Sequence, residues 1–335
     1  MARIAKRSAS SGAGGGVRPA PRRARLLVAA LAAAAALLAG CQAEDGDGDG
    51  GTSTGQGRSP FTGERAERGP VLAVKIDNSP EARPHTGLES ADIVYAEQVE
   101  AGLSRLIAVY SATLPDRVGP VRSARESDLE LLRTFGEPAL AFSGAQSRLL
   151  PEIDDAPLFA ASPDEVPGAY ERDESRMAPH NLYVRPADLL EATPEASRAD
   201  DIGFRFGPVP EGARGEPATS REVAYPGASF AFTWSAEDER WQVAMDGTPA
   251  EGLAPATVVV QEVTVRASDY HDVNGAFTPY TETTGTGEAT VLRDGRAYPA
   301  EWERDSPRDG TTFTTPDGDP LPFARGQVWV VYTER

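Results

Sequence analysis

Past its first seventy residues the chain sets apolar and polar positions in short, regular patterns. Leu72, Val74 and Ile76 alternate with Ala73, Lys75 and Asp77, a period of two that predicts a strand, and Asn78-Ser79-Pro80 ends it. Lys75 and Asp77 then share one face. The runs 92–100 and 103–112 predict two more strands joined at Ala101-Gly102, with Glu100 and Arg105 flanking a hairpin turn. At Ser123 the pattern turns helical. Ser123 and Glu126 stand at capping-box spacing, Gly136 suits the left-handed position just past a helix end, and Pro138 blocks any continuation. A short apolar strand over 139–143 follows. Strands and helices alternate through this region, which reads as an α/β domain with a mixed sheet.

After residue 150 the signals change. Pro186-Ala187-Asp188-Leu189-Leu190 begins a brief helix, with proline where a first turn tolerates it. Residues 200–220 are rich in proline, glycine and charge, the composition of a linker between domains. Beyond them the signals are almost wholly β: Phe230, Phe232 and Trp234 alternate, 257–265 is β-branched, and 327–332 reads as a terminal strand. Turn dipeptides at Asn274-Gly275, Asp294-Gly295 and Asp317-Gly318 separate them, a spacing that fits a β-rich sandwich or partly open barrel. The expected class is α+β, with an α/β domain over 71–199 and a β-rich domain over 221–335.

The first seventy residues belong to neither domain. Residues 1–25 are basic and carry no acidic residue, an apolar run follows, and Leu38-Ala39-Gly40-Cys41 closes it. This is the layout of a secretory signal over 1–41, and its last four residues resemble a bacterial lipobox, which implies that Cys41 is lipidated after cleavage. Cys41 is the only cysteine, so the exported chain has no disulfide and depends on its core. Residues 42–70 are rich in Gly, Ser, Thr and Asp and read as a flexible linker that lifts the domains off the membrane. The formal charge of −18 becomes −25 once the basic signal is removed. That argues against nucleic acid as a partner and against adhesion to anionic lipid. The expected location is the outer side of the cell membrane, lipid-anchored, with a cell-wall component or an envelope protein as partner. No cofactor or metal is expected, because the three histidines, His85, His180 and His271, lack ligand spacing.

Candidate chemistry centres on Arg122 and Arg125. Beside Ser123 at a helix start they favour an anion, helped by Arg83, Arg105 and Arg176. An alternative reading pairs the same arginines with Asp77, Asp92 or Glu100 as plain loop locks. His180 and Asn181 supply either a general acid or base or a loop cap. Lys75, the lone lysine of the exported chain, reads as a strand residue on a polar face. Asp77, Glu97 and Glu100 permit a second function, glycoside cleavage of peptidoglycan by paired carboxylates, with His180 assisting. Serine nucleophile motifs are missing: Phe142-Ser143-Gly144 lacks the preceding glycine of a nucleophile elbow.

Several segments resemble one family: Val74-Lys75-Ile76-Asp77-Asn78, Ala91-Asp92-Ile93-Val94-Tyr95, Gly119-Pro120-Val121-Arg122-Ser123-Ala124-Arg125, Ala178-Pro179-His180-Asn181-Leu182-Tyr183 and Gly326-Gln327-Val328-Trp329. Their order and spacing are similar to the YerB-like bacterial lipoproteins, defined by a two-part domain of unknown function. The chain departs from that pattern at His85, Ala96 and Ser143. The resemblance implies location and architecture but no reaction, so function rests on the residues themselves. Two readings stand: a binding or scaffold module of the envelope, and a wall-directed hydrolase.

Overall fold

The computed structural model describes residues 57–271, 275 and 277–335. The signal, Cys41 and the start of the linker lie outside the described residues. Strands β1 (Leu72–Asp77), β2 (Ile93–Gln98) and β3 (Ser104–Tyr110) pair antiparallel, and β4 (Ala139–Ala141) and β5 (Phe159–Ala161) extend that sheet in parallel. Strands β6 (Tyr170–Arg172) and β7 (Leu182–Val184) form a small ladder, and three short helices intervene: α1 (Glu126–Leu132), α2 (Leu150–Asp155) and α3 (Pro186–Ala192).

The second half is nearly all strand. It contributes β8 (Glu216–Pro217), β9 (Ser220–Tyr225), β10 (Ala228–Ser235), β11 (Arg240–Met245), β12 (Thr248–Pro249), β13 (Thr257–Val263), β14 (Val265–His271) and β15 (Phe277–Thr281). Then come β16 (Gly285–Arg293), β17 (Arg296–Arg304), β18 (Thr312–Thr314) and β19 (Val328–Glu334). The class is α+β, with a mixed sheet at the N-terminal side and further sheets in the C-terminal part.

One 11-stranded sheet runs through both halves in the order β18-β17-β16-β13-β19-β2-β3-β1-β4-β5, with β8 added on β17. The joint is β19, which pairs in parallel with β13 on one side and β2 on the other. Its run Val328–Tyr332 is buried on both faces, the unbroken apolar pattern of a strand covered above and below. Strands from both sides of the 200–220 segment therefore share one hydrogen-bonded ladder.

Two cores cover the two faces of that sheet. On one, Val74, Ile76, Leu106 and Trp329 meet β10 and β11 of the four-stranded sheet β12-β11-β10-β9. Trp329 sits 6.1 Å from Phe230 and 5.9 Å from Phe232, edge on to both. On the other, Ala73, Tyr95, Ile107 and Val109 pack under Leu131 and Leu132 of α1 and under Phe135. Alternation along β1 puts Lys75 and Asp77 on this second face, beneath the helix. The hairpin of β14 and β15 lies over α1: Tyr280 and Thr283 hydroxyls donate to Glu130, at 3.1 and 2.8 Å.

Two local expectations shift. The helix begins at Glu126 and not at Ser123, because Asp128 fills the N3 position and accepts the Arg125 N–H at 2.7 Å. After Leu132 it tightens into a single 3-10 turn and ends at Gly136, whose φ of 77° is left-handed. The end of the linker is part of the fold. Phe61 is fully buried and packs edge-on against Phe135 at 5.4 Å, so one aromatic side chain outweighs the hydrated composition around it. Gly119, in the chain's most distinctive motif, is a close-approach site: a Cβ there would stand 2.7 Å from the Tyr183 ring and 2.8 Å from the Leu182 carbonyl oxygen.

Candidate ligand-binding cleft

The C-terminal end of β1, the turn between β2 and β3, and the segment leading into α1 meet at one end of the central strands. Register makes this meeting charged, since β3 sets Arg105 opposite Asp77 of β1 and Glu97 of β2. The approach to α1 crosses above and delivers Arg122 and Arg125. The result is a cleft of about 480 Å³ whose lining includes Glu100, Arg105, Arg122, Ser123, Arg125 and Glu126. Leu103, Ala145, Leu149 and Tyr270 supply its apolar walls.

Asp77 is the floor beneath these cations. Its side chain is fully buried, and Arg122 Nε stands 3.1 Å from Oδ2 while Arg105 Nη1 stands 3.4 Å from Oδ1. His180 Nδ1 reaches the same Oδ2 at 2.8 Å. Burial alone would raise the carboxyl pKa; Arg105, His180, the Ser79 N–H and Arg122 together hold it below its usual range. Glu100 resembles it. Burial pushes its pKa up, and Arg125 Nη2 at 2.8 Å and the Thr278 hydroxyl at 2.7 Å bring it down. A glycosidic general acid needs the opposite, a carboxyl kept protonated near neutrality. Neither Asp77 nor Glu100 has that property.

The arginines are only partly engaged. Arg125 also donates to the carbonyls of Ser123 and Ala124, at 3.0 and 3.1 Å, and Arg105 Nη1 donates to its neighbour Ser104 at 2.9 Å. The buried Nε atoms of Arg105, Arg122 and Arg125 have no hydrogen-bond partner among the described residues, although that of Arg122 is ion-paired to Asp77. Burial depresses the Arg105 pKa, Asp77 opposes that, and Arg125 and Arg122 depress it further. Three guanidinium groups are thus held within each other's repulsion. Asp77 and Glu100 make that tolerable but leave donors over.

Other expected site residues lie elsewhere. Arg83 is spent on structure, donating to the Asn78 carbonyl at 2.7 Å and pairing with Asp246 at 2.8 Å. Arg176 donates to Tyr183 at 2.6 Å and to the Arg83 carbonyl at 2.7 Å. Asn181 is buried, accepting from Arg172 at 2.8 Å and donating to the Arg176 carbonyl at 3.3 Å, which makes it a loop brace. His180 joins Asp77 from the far side, in a separate depression with Arg176 and Met177. Its contacts to Asp77 and to Ser79 Oγ, at 3.2 Å, both use Nδ1, so a serine–histidine–aspartate relay, which needs both ring nitrogens, is not formed. Ser123 lines the cleft without capping the helix.

The feature that sequence reasoning missed is Lys75. It is fully buried and ion-paired to Glu97 and, at 2.6 Å, to Asp128. Ser127 Oγ donates to Glu97 at 2.8 Å. One ammonium cannot neutralise two carboxylates, so the Asp128 pKa rises, with burial the main cause, while Lys75 and its hydrogen bonds hold Glu97 down. The triad lies directly behind the cleft, because Asp128 also anchors the Arg125 N–H. Composition carried a signal: past residue 25 every other basic residue besides histidine is arginine, and a lone lysine between Val74 and Ile76 calls for a buried partner. Among the described residues no group of three or more His, Cys, Asp or Glu side chains is placed to hold a metal ion.

Comparisons with known proteins agree with this architecture. The chain is 25% identical over 296 residues to a Bacillus subtilis (strain 168) protein named "Putative lipoprotein YerB", covering 82% of this chain and 85% of that relative. A crystal structure of YerB protein from Bacillus subtilis superposes with a TM-score of 0.69 at 20% identity, over 82% of this chain and 96% of that one, and so shares its fold. Family models described as the N-terminal and C-terminal domains of a protein of unknown function, DUF3048, match residues 56–199 and 221–330. Together they span most of the sequence, and the chain belongs to the DUF3048 family.

Proposed function

We propose that this protein is a lipid-anchored binding module of the cell envelope, tethered outside the cytoplasm through Cys41, that takes an anionic ligand in the cleft of Arg105, Arg122 and Arg125. One observation carries the reading: three guanidinium groups from two segments, β3 and the approach to α1, converge on a single cleft, and the Nη groups of the partly exposed Arg122 donate to no described residue. Structural ion pairs normally satisfy their donors, whereas a recognition site keeps some for its ligand. The low pKa values of Asp77 and Glu100 favour binding over hydrolysis. The name of the Bacillus subtilis relative and the lipobox around Cys41 support the tether, and among the described residues no helix is long and apolar enough to cross a membrane.

Calorimetry tests the binding claim. The full-length protein in detergent is titrated with small anions, phenyl phosphate and N-acetyl-alanyl-alanine, against the neutral amide of the latter. Binding of at least one anion, lost in Arg122→Gln, is the expected result; no binding, or binding indifferent to Arg122→Gln, refutes it. For the tether, labelled palmitate is expected to enter the wild type in its native host and not Cys41→Ser.

A further inference from the structure

The balance of charge and donor geometry in the cleft narrows the ligand class. Arg105, Arg122 and Arg125 face three carboxylates, Asp77 and Glu100 in ion pairs and Glu126 on the wall. The lining is therefore close to neutral, and a dianion entering it would meet about as much repulsion as attraction. A monoanion that engages one guanidinium directly avoids that conflict. Arg122 is the one to engage. Only its Nε faces Asp77, its side chain is partly exposed, and its two Nη groups make no hydrogen bond among the described residues. Two parallel N–H donors in one plane match the two oxygens of a carboxylate.

Glu126 adds the complementary feature. One carboxylate oxygen accepts from the Ser268 hydroxyl, and its Oε1 accepts from no described residue. The cleft thus presents a donor fork and, four residues along the chain, a free acceptor. The cleft lining also includes apolar surface from Ala101, Leu103, Ala145 and Leu149. A group carrying a carboxylate, an N–H donor close to it and a small side chain meets all three requirements. That group is the C-terminal residue of a peptide.

Building on the anion-cleft reading, we infer that the cleft recognises the free C-terminal end of a short peptide with small side chains, its carboxylate on Arg122 and its last amide N–H directed to Glu126. The test uses the full-length protein in detergent and four probes: N-acetyl-alanyl-alanine, its C-terminal amide, phenyl phosphate and glucuronic acid. The dipeptide is expected to bind at least tenfold more tightly than the other three. Arg122→Lys keeps the charge but loses the fork, and is expected to weaken the dipeptide about 10- to 100-fold with the thermal midpoint unchanged. Glu126→Gln is expected to weaken the dipeptide and leave glucuronic acid as it was. Phenyl phosphate binding tightest would overturn the inference while leaving an anion cleft in place. Glucuronic acid matching the dipeptide would reassign the ligand to a sugar acid. Failure of all four probes would remove the cleft reading itself.

Discussion

Replacing Lys75 by methionine tests the buried triad most directly. Methionine fills much of the same volume with an unbranched chain, so packing changes little and the charge disappears. What stays behind is Glu97, 5% exposed, and Asp128, fully buried, each left with one neutral donor, the Ser127 hydroxyl and the Arg125 N–H respectively. Removing one partner of a buried ion pair costs about 3–5 kcal/mol, which for a chain of this size lowers the melting midpoint by on the order of 10 °C. The cost depends on pH. Without the ammonium both carboxyls have folded-state pKa values above their unfolded value of about 4, so they stabilise most below that value and lose stability as pH rises through the folded values. In the wild type Lys75 holds Glu97 low, which works in the other direction, while Asp128, raised by burial to about 7, already loses stability as pH rises. The gap between wild type and Lys75→Met is therefore expected to be small at pH 5 and several kcal/mol at pH 8. Urea unfolding followed by tryptophan fluorescence at the two pH values measures it. A loss below about 1 kcal/mol at pH 8, or an equal loss at both, would refute the account. The triple variant Lys75→Met, Glu97→Met, Asp128→Leu is expected to recover most of the loss, because no uncompensated charge is left.

Two further outcomes follow from other parts of the fold. Asp92 is 4% exposed, and burial raises its pKa to about 6 even though the Ser111 and Ala112 N–H groups donate to it; its stabilisation is full below about 4 and declines through pH 6, so Asp92→Asn gains on the wild type by roughly 2–3 kcal/mol between pH 4 and 7.5, and a pH-independent difference in urea midpoints would contradict this. Trp329 is fully buried and joins the shared sheet to Phe230 and Phe232 of the four-stranded sheet; Trp329→Ala is expected to cost about 3–5 kcal/mol and to lower the unfolding of both halves together in calorimetry, whereas two separate transitions with only one shifted would show that the halves are not coupled there.

Sequence by itself determined what depends on local chemistry. The alternation along 72–77 fixes a strand and puts Lys75 and Asp77 on one face, because successive side chains of a strand point to opposite sides. The positive φ at Gly102, 70°, and the stop at Gly136 follow from glycine's backbone preference, whereas Ala101 takes a φ of 58° against its own. The order of short motifs identifies the family, and the lone cysteine at the end of an apolar run is the basis of the proposed lipid site. Tertiary structure decided the rest, because it turns on which strands become neighbours. The helix cap moved from Ser123 to Arg125 once Asp128 had both a buried ammonium and a backbone N–H to satisfy. Phe61 left an otherwise hydrated segment for the core. The C-terminal strand β19 entered the middle of the N-terminal sheet, a long-range pairing with no local signature beyond its apolar run. The candidate site is the plainest case. Arg122 and Arg125 stood out beside a helix start, but Arg83, Arg105 and Arg176 looked alike as sequence, and only strand register brought Arg105 into the same cleft and left the other two bracing loops.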